Sequence, residues 1–177
     1  MTTRFFAHVL CPVDFSVHSR EALRHAAALA QRQGSRLTIL VVNDPLLASA
    51  AAAAAYDSAR LAADTRAELA RFVKRALGAQ ASATSSSIAL GQPAAEIRKA
   101  VRRLGADLVV MGTQGLSGAS KWMFGSTTER VLRHTTVPVL VVPPRAGRKR
   151  ASGARDLERW PGARVLAPIE LGPDALK

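Results

Sequence analysis

One cysteine, Cys11, occurs in 177 residues, so no disulfide can close within the chain. Histidine is nearly as scarce, and none of the four stands at a spacing that would make a zinc site. Metal held by protein side chains alone is therefore not expected. No apolar run reaches the roughly 18 residues that a membrane span needs. The opening MTTRFFAHVL gives way to polar DFSVHSR before a signal-peptide core has formed. These absences predict a soluble cytoplasmic protein with no membrane partner. Acidic residues are also few, 13 against 25 basic, for a net charge of +12. A nucleic-acid binder would gather such charge on one surface and interleave aromatic residues that stack on bases. Here residues 1–144 carry 17 basic and 9 acidic side chains, and residues 145–177 carry 8 and 4. The densest runs, RKAVRR (98–103) and RAGRKR (145–150), hold no aromatic residue. They read as a solvated helix face and a tail, and nucleic acid is not the expected partner.

With 48% hydrophobic residues, the chain is long enough for one domain with a substantial core and too short for two of ordinary size. Short apolar runs alternate with helical periods. HVLCPVD (8–14) reads as a buried strand. SVHSREALRHAAALAQRQG (16–34) reads as a helix with Ser16 as N-cap and Gly34 past its end. RLTILVVN (36–43) is a second strand, followed by an alanine-rich tract (48–55) and a helix over 58–78 with Leu61, Leu69, Phe72, Val73 and Ala76 on one face. SATSSSIAL (82–90) is a weak polar strand suited to a sheet edge. PAAEIRKAVRRLG (93–105) is a helix with Pro93 in its first turn and Ile97, Val101 and Leu104 inward. DLVVMGT (107–113) and VPVLVVP (137–143) are two further buried strands, with STTERVLRHTT (126–136) as the helix between them. This alternation predicts an α/β fold: a parallel sheet with helices on both faces and right-handed crossovers.

Four of the chain's twelve glycines fall within residues 111–131, directly after the fourth strand. In a parallel sheet, ligands sit beyond the carboxyl ends of strands, near the point where strand order reverses. Gly112 and Gly115 would let the backbone turn and approach a ligand closely. Gly125, Ser126 and Thr127 open a helix whose free N–H groups and dipole favour an anion such as phosphate, with the hydroxyls of Ser126, Thr127 and Thr128 at hand. The spacing is not that of a Walker loop, which needs a lysine after the last glycine, nor of a dinucleotide fingerprint, which needs G-x-G-x-x-G after the first strand. It is G-x-x-G, nine residues, then G-S, met by Gly112, Gly115, Gly125 and Ser126.

That loop, with CPVDFS on the first strand, GQPAAEI opening the third helix and VPVLVVP at the last strand, closely resembles the universal stress protein family, specifically its ATP-binding branch, over about residues 5–144. The resemblance implies a five-stranded, Rossmann-like parallel sheet in the order 3-2-1-4-5, with ATP across the ends of strands 1 and 4 and Mg²⁺ held mostly by phosphate oxygens. It implies that Pro12, Asp14, Val42 and Met111 surround the adenine and ribose, and that Gly112, Gly115, Gly125, Ser126, Thr127 and Thr128 line the ribose and phosphates. It also implies a homodimer through the strand at 137–142, whose apolar edge would otherwise stand unpaired.

Each position has a plainer reading beside this one. Asp14 fits a ligand's amine or hydroxyl, and equally a cap on the following helix. Val42 and Met111 suit a flat base or ordinary core. Ser126 suits a phosphate or a simple N-cap. Lys121, in the spacer, is a candidate for the γ-phosphate. No general base falls in the motif, so binding is favoured over turnover. The expected role is a nucleotide-dependent stress sensor or regulator acting on an unnamed protein partner. The alternatives are a slow ATPase or autophosphorylating enzyme, and a dimeric adapter with purely structural nucleotide. Finally, RVLAPIELGPDALK (164–177) repeats the first strand and its turn, with Val165, Leu166 and Pro168 matching Val9, Leu10 and Pro12, and Glu170 in the place of Asp14. The expected organisation is a nucleotide-binding domain over 1–144, a basic linker over 145–163, and the start of an incomplete second repeat over 164–177, with no second ATP site.

Overall fold

A computed structural model describes residues 5–45, 58–114 and 124–143. Gly115, Lys121, the alanine-rich tract, the basic linker and the 164–177 repeat lie outside the described residues.

The elements run β1 (His8–Val13), α1 (Val17–Gln33), β2 (Arg36–Asn43), α2 (Ser58–Leu77), β3 (Ser85–Leu90), α3 (Pro93–Leu104), β4 (Leu108–Gly112), α4 (Ser126–His134) and β5 (Val139–Val142). The strands form a five-stranded sheet in the order β3-β2-β1-β4-β5, and every pairing is parallel. The strands hold nearly continuous apolar runs because alternate side chains enter two different cores. Val9, Cys11, Ile39 and Val110 pack on one face, under α1 and α2. Leu10, Leu40, Val109 and Met111 pack on the other, under α3 and α4. Burial pushes the Cys11 thiol upward in pKa, so the one cysteine behaves as a small core hydrophobe.

Local signals set the helix ends. Ser16 accepts the N–H of Ser19 and caps α1, and Gly34, at φ 63°, ends it with its N–H on the Ala30 carbonyl. Pro93 opens α3 and Gly105, at φ 60°, closes it. In α2, Leu69, Phe72 and Val73 are buried as the periodicity predicts, while Leu61 is half-buried. The strand expected from residue 82 starts at Ser85, since residues 78–83 form a 3₁₀ turn with no buried side chain. Ser126 is the first residue of α4 and Gly125 takes the cap position, so the N-cap role considered for Ser126 is corrected to Gly125.

The two ends of the sheet differ. At the amino ends the strands are pinned by polar side chains. The Asp107 carboxylate accepts the N–H groups of Ala7 and His8 at 2.7 and 3.0 Å, tying the start of β4 to the start of β1. Buried His8 bridges the Leu104 carbonyl and the Thr38 hydroxyl, which in turn meets Ser85, so one chain of hydrogen bonds links β1, β2 and β3. At the carboxyl ends β1 and β4 part. They pair only at Val9 with Leu108 and Leu10 with Val109, whereas β1 and β2 stay paired from His8 to Val13. The outer edges differ as well: β3 shows exposed Ser85 and Ser86, and β5 offers half-buried Val139, Leu140 and Val141.

Candidate functional site

Where β1 and β4 part, a cavity of about 490 Å³ opens between the carboxyl ends of β1, β2 and β4 and the first turns of α3 and α4. Pro12, Asp14, Val42, Met111, Gly112, Gly125, Ser126, Thr127 and Thr128 all line it, so of the ten residues named from the sequence all but Gly115 are brought together.

The β1–α1 turn forms one rim. Its chain reverses at Phe15, a non-glycine residue at φ 65°, a conformation that costs about 1–3 kcal/mol unless its surroundings hold it. Here Phe15 packs edge-on against Phe72, ring centroids 5.5 Å apart, and the Asp14 Oδ1 accepts the N–H of Ser16 at 3.1 Å. Ser19, a further lining residue, accepts the N–H of Asp14. The cap of α1 is thus Ser16, and Asp14 holds the turn before it by accepting the Ser16 N–H while bordering the cavity.

Opposite lies the start of α4. Gly125 offers no side chain to cap it, and the first N–H groups of any helix lack partners within it. Those of Ser126, Thr127 and Thr128 therefore present positive dipole charge where these residues line the cavity. Two bonds hold this turn against β4. The Gly125 N–H donates to the Thr113 carbonyl at 2.8 Å, and the Thr128 hydroxyl donates to the Gly112 carbonyl at 2.9 Å. The Thr128 hydroxyl proton is therefore committed to Gly112, which leaves its backbone N–H as its donor toward the cavity.

Gly112 plays a different part from the turn expected of it. It is the last residue of β4, and its φ is not positive. A Cβ there would lie 3.0 Å from the His18 carbonyl carbon, so a side chain at 112 would press on the backbone of α1. The His18 Nδ1 sits 3.2 Å from the Gln114 carbonyl oxygen, which makes it the donor and adds a second tie between α1 and the glycine-rich segment.

The remaining wall is apolar: Leu40, Val42, Pro93, Ile97 and Met111. Leu40 stands two residues before Val42 on the same face of β2, a period-2 relation present in the sequence. Ile97, an inward position of α3 by its period, and Pro93, one helical turn before it in the first turn, both border the cavity. Asp44, just beyond the last residue of β2, is another lining residue that the sequence did not single out. Among the described residues no group of three or more His, Cys, Asp or Glu side chains could hold a metal ion, and no helix is long and apolar enough to cross a membrane. Chemically, the cavity offers an apolar wall for a flat group, acidic residues at the ends of β1 and β2, and uncapped helix N–H groups at the start of α4.

Comparison with known proteins points one way. The model of the universal stress protein family matches residues 6–143. The universal stress protein YxiE of Bacillus subtilis is 30% identical over 146 residues, a match spanning 77% of this chain and 99% of the relative. Among solved structures, the universal stress protein UspA from Lactobacillus plantarum superimposes with a TM-score of 0.62 at 27% identity, over 80% of this chain and 99% of that one. A universal stress protein crystallised in complex with cAMP gives a TM-score of 0.59 at 25% identity, over 77% and 96%.

Proposed function

Since the chain belongs to the universal stress protein family, we propose that it serves the stress response as a cytoplasmic ATP-binding protein whose nucleotide-bound form presents a different surface to a protein partner. One observation carries this reading: the uncapped start of α4 lines a cavity whose other walls include the apolar Leu40, Val42, Ile97 and Met111. A flat base fits the apolar slot, and phosphates fit the N–H groups of Ser126, Thr127 and Thr128. Pro12, Asp14, Val42 and Met111 then surround the adenine and ribose, and Gly112, Gly115, Gly125 and the three hydroxyl residues border the ribose and phosphates. Mg²⁺ is held mostly by the phosphate oxygens. The cAMP complex of a related protein supports nucleotide as the ligand class. The homodimer proposed through β5 would give the partner a two-fold surface.

Equilibrium titration of the full chain with ATP, ADP and AMP in the presence of Mg²⁺ tests the reading. ATP at a hundred times its dissociation constant should raise the unfolding free energy by about 2.7 kcal/mol, seen as a higher melting temperature. No heat of binding and no thermal shift at millimolar Mg-ATP would exclude it.

A further inference from the structure

The face of β2 that walls the cavity ends in a charge. Leu40 and Val42 share one face of β2, Asp44 follows just past the strand's last residue, and all three line the same space. The apolar strip therefore runs out, at the end of the strand, into a half-buried carboxylate. We propose that Asp44 is a specificity-determining residue, which accepts a hydrogen bond from an N–H or O–H donor at the base end of the bound nucleotide. This rests on the nucleotide reading above and names one of its selecting groups.

The chemistry follows from what a carboxylate does. Ionised, it only accepts hydrogen bonds, so a ligand group beside it must donate, and a carbonyl or phosphate oxygen placed there is repelled. Asp14, the other carboxylate on the cavity, has Oδ1 and its own N–H built into the β1–α1 turn through Ser16 and Ser19. Asp44 lies just beyond the end of β2 at Asn43. Asp44 follows β2, which is separated by β1 from β4 and the α4 start, so a ligand with its phosphates toward α4 turns its other end toward Asp44. A purine nucleotide has two donors that suit this end, the exocyclic amine of adenine and the ribose hydroxyls.

Calorimetric titration of the full chain separates them. Wild type, Asp44→Ala and Asp44→Asn are each titrated with ATP, with ITP, in which a carbonyl replaces the amine, and with 2′-deoxy-ATP, at fixed Mg²⁺. A charge-assisted hydrogen bond predicts that wild type binds one of the two analogues about tenfold or more weakly than ATP, and the analogue so penalised identifies the donor. Asp44→Ala should erase that ratio by lowering ATP to the level of the analogue, and Asp44→Asn, which keeps an acceptor without the charge, should fall between. The proposal is overturned if both analogues bind wild type within twofold of ATP, or if the penalty survives in both variants. If folded wild type binds none of the three at millimolar concentration, the nucleotide reading itself fails and the role of Asp44 with it.

Discussion

Gly112 shows how a single residue can be required for a reason its neighbours in sequence do not reveal. The glycine-rich loop suggests a sharp turn, yet the constraint comes from the first turn of α1, far upstream, whose His18 backbone lies 3.0 Å from where a Cβ would sit. Gly112→Val must push backbone against backbone, which should cost about 1–3 kcal/mol, read as a lower urea midpoint, and it should weaken ATP as the cavity rim shifts. An unchanged midpoint would refute the packing account. Asp107 acts at the opposite end. Burial raises its carboxyl, but the N–H groups of Ala7, His8 and Asp107 itself, with the His8 charge, outweigh this and hold it below the ordinary 3.8. The folded state thus binds the proton less readily than the unfolded chain. The stabilisation is complete above the unfolded value and is lost as pH falls through the lower folded one. Urea midpoints measured between pH 3 and 5 should drop more steeply for wild type than for Asp107→Asn, and parallel curves would contradict this. Among single residues, the sequence made most of the cavity lining legible, from Pro12 to Thr128. Leu40 was recoverable by period 2 from Val42, whereas Asp44, past the end of β2, was not. Ile97 was not, because a helix position facing a cavity and one facing a core carry the same apolar signal.

At the scale of elements, the alternation of strand and helix was readable because each buried strand is a short Val-, Ile- or Leu-rich run bounded by helices of clear 3.6-residue period. Strand order was not in that pattern; the family resemblance supplied it. The parting of β1 and β4 was not readable either, since it arises from pairing between strands nearly a hundred residues apart. The start of β3 was misplaced by three residues because GAQASA carries neither period. Helix α4 offers a test in which two effects take opposite signs. A carboxylate at its first position, Ser126→Asp, interacts well with the helix dipole and should add about 0.5 kcal/mol to the stability of the nucleotide-free protein. It also occupies the proposed phosphate site with like charge, so ATP affinity should fall by about tenfold or more. Thermal melts with and without Mg-ATP report both, and a variant that keeps the wild-type shift would move the phosphates away from α4.

Across the whole molecule, the polar pins of His8, Thr38, Ser85 and Asp107 gather at one end of the sheet and the cavity at the other, so stability and ligand binding draw on different strand ends. The two lateral edges are likewise unequal. The apolar β5 edge is suited to a second copy, and we expect a mass of twice 18.8 kDa at micromolar concentration; a monomer alone would overturn the dimer. The β3 edge opens on exposed Ser85 and Ser86 and ends on exposed Leu90, so only its first half is polar. A sheet with one adhesive edge has a valence of one: two copies satisfy each other and growth stops, while two such edges would make an endless ribbon. If β5 is the pairing edge, the serines at the start of β3 limit growth at the other, and Ser86→Val should give species larger than a dimer that increase with concentration.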